Sequence, residues 1–399
     1  MKLYAQHGSG PSDKIICGLE QRVIDGVILG AKDISPATLL SCLTDLRSIR
    51  ADADLLLDPQ YYALQLPPDD DNRVGYLTDY NCWPEAPRNE AFLRNQQRVR
   101  QDIEAFLRYQ DAMPLTHLIV PNVVVRRSLD SREGMISESF ISLARPARDA
   151  IESSKAVLAT LAISREAMAD QSEVERLAAA LTSMGDGPDG FYILIATSGQ
   201  DSFDLYHSGV ISNILFLIYA LKLNGFEVVW GYSDTLGAAA GAVGLDASAS
   251  GWFSTLRTFS LNRFAPNRRR GQRARTRFFS VRLMNRILLT ELLVSLDYDS
   301  SLANQLATDS PYFTEQGEIN EPGESAKCLQ SWGALKSMQL KFSSGESNEE
   351  NLDRLRLHAE EAQATYQVLR SHGIQFETSS SGRHLSPIVE AVQLLLAQL

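Results

Sequence analysis

The sequence predicts an α/β protein of the (β/α)8 TIM-type barrel class, with its working face at the C-terminal ends of the strands and a helical extension at the C-terminus. Three observations carry this. Short apolar, β-branched runs recur at residues 3–6, 27–30, 54–57, 118–120, 157–163, 192–195 and 226–230, and unbroken apolar runs of this length suit strands buried on both faces. The segments between them carry helical patterns, so strand and helix alternate as in βαβ units. The chain has 399 residues, more than the roughly 250 of one barrel, which leaves room for insertions or an appendage.

Each element has its own signal. Residues 36–49 read as a helix opened by Ser35 as N-cap with Pro36 at the first helical position. Helices are also expected over 90–109, 172–184 and 212–224, the last ending before Gly225. An eighth strand is sought at 242–247, reached through the small-residue stretch 235–241, and would close the barrel near residue 250. An open, doubly wound sheet is the alternative, although no Gly-x-Gly-x-x-Gly follows the first strand. Further on, helices are expected over 252–261 and 281–296, a loop or linker over 297–327, a charged helix over 349–370, and a final helix after Ser386-Pro387. The organisation predicted is a barrel over 1–296 with an arginine-rich insertion at 257–286, a linker at 297–327 and a mainly helical segment at 328–399.

Hydrophobic residues make up 44% of the chain and charged residues 22%, the balance of a globular protein with a large core, which excludes whole-chain disorder. No apolar segment of signal-peptide length follows the N-terminus, and no run reaches the ~20 apolar residues of a membrane span, the nearest being 211–223. A soluble, cytoplasmic protein with no membrane partner is the expectation. Cys17, Cys42, Cys82 and Cys328 are scattered, with no histidine at ligand spacing, so neither a metal site nor a disulfide framework is expected, and no cofactor is predicted.

The net charge is -11, yet between Ala247 and Thr290 there is no acidic residue and there are ten arginines, which leaves -21 on the remainder. Arg257, Arg263, Arg268, Arg269, Arg270 and Arg273 are the candidate phosphate or nucleic-acid ligands in this stretch, because a planar guanidinium suits phosphate and a local basic segment on an acidic protein makes an anion-binding surface.

Strand ends supply the other candidates, since barrel active sites are built from the loops that follow the strands. Asp58 ends the third strand, where Pro59 stops the ladder and holds the carboxylate at the rim. Asp33, Asp234 and Asp246 follow the second, seventh and eighth strands and join it as candidate catalytic carboxylates; Asp33 could equally cap a helix. Lys32, Gln60, Tyr61, Asn122, Gly231, Tyr232, Ser233, Ser250 and Gly251 stand at strand ends as candidate substrate contacts, the glycines and hydroxyls after the last two strands being of the kind phosphate cradles use. Gly237, Gly241 and Gly244 read as packing residues. His7 is a candidate acid or base at the first strand end, and His117 is expected at the opposite face. No nucleophile elbow is present.

Together Asp33, the strand end Leu55-Leu56-Leu57-Asp58-Pro59-Gln60-Tyr61, the aromatic-bearing loop after it and the arginine segment resemble the tRNA-guanine transglycosylase superfamily, including its DNA-modifying relatives, over roughly the first 260 residues. The resemblance implies a barrel that exchanges a base in nucleic acid with aspartates at strand ends. The zinc motif of that family has no counterpart, Cys328 standing alone. Two functions follow. In one, the barrel acts on a nucleobase, nucleotide or nucleic acid by base exchange or glycosidic-bond chemistry, with Asp58 and another rim aspartate dividing the acid and base work. In the other, a non-catalytic barrel binds nucleic acid or a protein partner through its arginines. Convergence of two carboxylates in one pocket favours the first; rim aspartates locked in ion pairs favour the second.

Overall fold

The computed structural model describes residues 1–9, 13–67, 69, 72–86, 88–199, 203–266, 275–298 and 323–399. Eight parallel strands form the barrel: β1 (Lys2–Gln6), β2 (Gly26–Gly30), β3 (Asp54–Asp58), β4 (His117–Val120), β6 (Ala156–Ser164), β7 (Gly190–Ala196), β8 (Glu227–Trp230) and β9 (Ala247–Ser250), with the short β5 (Val124–Val125) extending along β6. Their order is β3-β2-β1-β9-β8-β7-β6-β4. The end strands are brought together by Thr116, whose N–H donates to the Leu55 carbonyl (2.9 Å) and whose hydroxyl accepts from the Leu55 N–H (3.0 Å). A sheet whose ends meet is a barrel, and the open alternative falls.

Strand interiors explain their composition. Tyr4 on β1 donates to Asp54 Oδ2 on β3 (2.7 Å), reaching past the intervening β2. Gly26 makes that reach feasible, since a Cβ there would stand 2.8 Å from the Tyr4 ring and 2.5 Å from the Asp54 carbonyl. Across the same end, His117 of β4 meets Glu227 of β8 at 3.1 Å, so His117 does lie at the face opposite the mouth.

The helices are α1 (Asp13–Glu20), α2 (Pro36–Ile49), α3 (Glu90–Leu93), α4 (Gln96–Asp111), α5 (Arg132–Ser142), α6 (Ala144–Ala150), α7 (Gln171–Thr182), α8 (Ser208–Leu223), α9 (Asp234–Ala239), α10 (Leu289–Tyr298), α11 (Glu324–Phe342), α12 (Asn348–Ser371) and α13 (Leu385–Gln398). The Ser35 cap of α2 is present, its side chain accepting from the Thr38 N–H. The helix expected over 90–109 is two, because the Asn95 side chain caps a new start by accepting from the Arg98 N–H (3.1 Å).

Three further expectations are corrected. The eighth strand begins at Ala247, after the single turn Ala240–Val243 and a left-handed Gly244 at φ 86°, because its register is fixed by pairing with Lys2 to Ala5 of β1. Residues 252–261 hold only the single turns Ser254–Leu256 and Leu261–Arg263, and Phe259 between them bridges to Ala196 at the end of β7. The helix expected over 281–296 is instead a hairpin, β10 (Arg277–Ser280) with β11 (Asn285–Leu288), followed by α10. The stretch Val281-Arg282-Leu283-Met284 hid its turn, having no Asn-Gly or Gly signal and placing Met284 at φ 51°. Most of the expected loop at 297–327 lies outside the described residues, while α11 begins at Glu324.

After β9 the chain leaves the barrel through the hairpin and returns as α11, which packs on α1, α9 and β1 and covers the β9–β1 side. Trp332 of α11 is buried and donates through Nε1 to the Ser250 carbonyl (2.9 Å), and Gln339 donates to Ser248 Oγ (2.5 Å). Helices α12 and α13 pack on each other, and α13 packs on α8. No helix among the described residues is long and apolar enough to cross a membrane.

Candidate functional site

The barrel mouth is filled from below by a polar cluster. Asp58 is fully buried; Oδ2 accepts from the hydroxyls of Tyr62 (2.8 Å) and Tyr192 (3.3 Å), and Oδ1 from the Gln60 N–H (3.0 Å). Burial pushes its carboxyl up to about 6, against the lowering pull of the Tyr62 hydroxyl, the Gln60 amide, Arg263 and Tyr192. Gln60 takes a left-handed φ of 54°, receives the Lys32 N–H on Oε1 (2.8 Å) and offers Nε2 to the Tyr232 hydroxyl (3.4 Å). Above them Arg263 pairs with Asp33 and donates to the Tyr232 hydroxyl (2.8 Å), so this ion pair roofs the cluster. Lys32 stands beside it, its amine pulled down to about 8 by burial and the Arg263 charge.

The state of Asp58 has a measurable consequence. A carboxyl whose folded value lies above its ordinary 3.9 takes up protons on folding, so stability falls as pH rises between about 4 and about 6, by up to about 1.4 kcal/mol per pH unit, and is flat above that window. In Asp58→Asn this contribution is absent. Denaturant unfolding from pH 4 to 7 is therefore expected to show the difference between wild type and variant changing through that window and constant above it; a pH-independent difference refutes the assignment.

Beside the roof lies a cleft of about 470 Å³, over the loops that follow β7, β8 and β9, walled on its outer side by the hairpin and by residues near α13. Arg257 and Arg286 form its cationic side. Arg286 pairs with Asp234, which also accepts from Ser250 Oγ (2.8 Å). Burial of Asp234 would raise its carboxyl, but Arg286 and Arg257 outweigh it and hold the group below its usual range. Arg286 stacks on Phe279 (4.6 Å), and its Nε is buried without a hydrogen bond among the described residues. The Arg257 guanidinium makes neither hydrogen bond nor ion pair there, and burial with the charge of Arg286 pulls it down to about 10. It stays cationic at neutral pH.

The facing wall is aromatic. Phe203 stacks flat on His384 (5.3 Å, 5° between planes), and Tyr206 meets the same imidazole edge-on. Burial pulls His384 down to about 4, so it is neutral. Its Nε2 faces the Met284 carbonyl at 3.1 Å and must be the donor there, which leaves Nδ1 as a buried acceptor without a partner among the described residues. Tyr232, Asp234 and Met284, all at or near this mouth, hold positive φ without being glycine, a backbone cost that functional sites often carry.

The sequence-predicted residues divide accordingly. Asp33, Lys32, Gln60, Tyr232 and Arg263 meet with Asp58 in the roofed cluster, while Asp234, Ser250 and Arg257 meet at the cleft. Asp246 lies at the wrong end: it precedes β9 and is held by Lys222 (2.6 Å) and the Val228 N–H (2.8 Å). Tyr61 turns outward to α4 and α5, donating to Asp102 (2.8 Å) among Phe106 and Phe140. Asn122 spends its amide on Ser137 Oγ (2.9 Å) and the Thr160 carbonyl (2.7 Å), and the Ser233 hydroxyl goes to the Trp230 carbonyl (2.9 Å). Gly231 and Gly251 serve packing, since a Cβ would stand 2.6 Å from the Tyr192 hydroxyl and 2.4 Å from Leu256 respectively. Arg268, Arg269, Arg270 and Arg273 lie outside the described residues. Sequence reasoning did not single out Arg286 as a ligand and missed Phe203, Tyr206 and His384; the arginine count pointed at the first, and nothing in the sequence pointed at His384. Among the described residues no three His, Cys, Asp or Glu side chains group as metal ligands.

No protein-family model matches the chain, and no curated protein matches it. Among solved structures it is similar to the carboxyl transferase domain of Rhizobium etli pyruvate carboxylase with pyruvate, at 11% identity and a TM-score of 0.36, covering 100% of this chain and 62% of that one. It is also similar to nitroalkane oxidase from Streptomyces ansochromogenes, at 15% identity and a TM-score of 0.29, covering 99% and 95%. The chain thus spans less than two thirds of the carboxyl transferase chain.

Proposed function

We propose that the mouth cleft binds a phosphate-bearing ligand of the nucleotide class, its phosphate on Arg257 and Arg286 and its base or sugar against the Phe203–His384 wall. The observation that carries this is Arg257, a half-buried cation at the cleft that makes no hydrogen bond or close ion pair among the described residues and shares the charge of Asp234 with Arg286. It stands just after the eighth barrel strand, where barrels commonly seat phosphates. The aromatic wall matches a flat base.

Calorimetric titration with guanosine, adenosine and their 5′-monophosphates tests the reading. The monophosphates are expected to bind at least about tenfold more tightly than the nucleosides, with affinity falling as salt is raised. Equal binding of both, or none at millimolar concentration, removes it. If the natural ligand is nucleic acid, oligonucleotide affinity will fall with salt at a log-log slope of roughly 0.7 to 0.9 per phosphate neutralised, and replacement of Arg268, Arg269 and Arg270 by alanine will flatten that slope.

A catalytic reading, glycosidic-bond chemistry by Asp58, draws support from a strand-end carboxyl that titrates near 6. It requires the Arg263–Asp33 roof to open, because both Asp58 oxygens are occupied. With Asp33 and Asp234 each bound to an arginine and Asp246 at the far end, the binding reading stands first.

A further inference from the structure

A second cavity, of about 440 Å³, runs between α1 and α2 from the barrel rim. Its walls are mostly apolar, Ile15, Ile34, Leu46 and Ile49, with the hydroxyls of Ser35, Thr38 and Ser41 also lining it and Cys42 beside them, whose thiol is pushed up by burial and the nearby Asp45, so that it stays protonated. At the inner end stand His7 and Asp33. His7 is 7% exposed, and neither ring nitrogen makes a hydrogen bond among the described residues, Nδ1 being buried outright. A buried polar group without a partner is destabilising unless something fills the role. Desolvation overrides the opposing charge of Asp33 and pulls the imidazole down to about 4, so the group at the end of the groove is neutral. The charged residues that line the groove, Asp33 and Asp45, are both carboxylates, which disfavours an anionic occupant. Asp33 is already bound to Arg263 on the cleft side, so this ion pair is the partition between the two cavities.

We infer that the groove is a binding site for a small neutral molecule with an apolar body and a terminal hydroxyl, that is, an aromatic or aliphatic alcohol, whose hydroxyl bonds to His7. A hydroxyl both donates and accepts, so it satisfies the unpartnered imidazole in either tautomer. The site is separate from the arginine cleft and does not depend on the reading of that cleft.

Saturation-transfer NMR on the full chain with 4-ethylphenol, ethylbenzene and 4-ethylbenzoate as probes decides it. The phenol is expected to bind at least fivefold more tightly than ethylbenzene, the benzoate not at all, and 15N-labelled His7 is expected to shift on addition of the phenol alone. Ser41→Trp, which fills the groove from its exposed side, is expected to abolish phenol binding without changing nucleotide affinity at the cleft. His7→Phe is expected to erase the preference for phenol over ethylbenzene while leaving both bound. Phenol binding that survives both variants, a preference for the benzoate, or no binding of any probe by a protein whose circular dichroism is native overturns the inference.

Discussion

Arg257→Ala is expected to weaken binding of a phosphate monoester at the cleft by about 100-fold and to leave the unliganded protein at least as stable as the wild type. The two effects have one cause. A charged hydrogen bond to phosphate is worth roughly 1.5–3 kcal/mol, and Arg257 makes no hydrogen bond to a side chain among the described residues that would compete for it, Asp234 acting on it only through its charge. In the absence of an anion, the same guanidinium sits where burial and Arg286 disfavour its charge. A base whose folded value is lowered below 12.5 costs stability at every pH where it is charged, and the wild type recovers that cost only as pH rises through about 10; removing the group recovers it at neutral pH. Ligand at a hundred times its dissociation constant adds about 2.7 kcal/mol to the wild type. Thermal unfolding with and without ligand should therefore show a shift in the wild type that falls to about 0.4 kcal/mol in the variant at the same ligand concentration, from an unliganded midpoint that is no lower. Unchanged affinity would exclude Arg257 as the anion ligand.

Trp332→Ala carries the largest expected cost in stability, about 3–5 kcal/mol by the usual penalty for emptying a buried aromatic site. Its indole lies within 3.1 Å of where a Cβ would stand on Gly18 of α1, meets Trp252 edge-on at 6.4 Å, and satisfies the Ser250 carbonyl. Truncation opens a cavity between α11 and the barrel and leaves that carbonyl without its donor. Equilibrium denaturation measures the loss, and a cost below 1 kcal/mol would mean that α11 is held chiefly elsewhere. Ser250 also positions Asp234 through its hydroxyl, so the same variant, where still folded, is expected to bind phosphate less tightly.

The parallel barrel was legible because strands covered on both faces leave continuous apolar runs, and Leu55-Leu56-Leu57 ending in Asp58 shows both the strand and its rim. The site was legible only in part. Asp246 was misassigned through a strand boundary a few residues early: a strand at 242–247 places it at the mouth, whereas one beginning at Ala247 places it at the base. The arginine excess marked the stretch that supplies cations to the mouth, but which guanidiniums face one cleft depends on a hairpin whose turn has no glycine or asparagine to mark it. His384 comes to the cleft from the far end of the chain, a contact that no local pattern encodes. Tyr61 and Asn122 follow strands as binding residues do, and only their neighbours, Asp102 for one and Ser137 with Thr160 for the other, reveal them as structural.

The helix that covers the eighth strand arrives late. In the ordinary order a strand is followed at once by the helix that packs on it, so a chain growing from its N-terminus can bury each strand soon after making it. Here β9 ends at Ser250 and its covering helix begins at Glu324. No N-terminal portion of the chain that stops short of α11 can shield the outward side of β1 and β9 by that helix, although all eight barrel strands are already present. The closing contacts are therefore among the most distant in sequence, and the entropy of looping the intervening segment is spent before they form. Segments that carry the hairpin and its two cleft-lining arginines, Arg277 and Arg286, are made before the barrel can be sealed, and the mouth cleft and the completed barrel mature together.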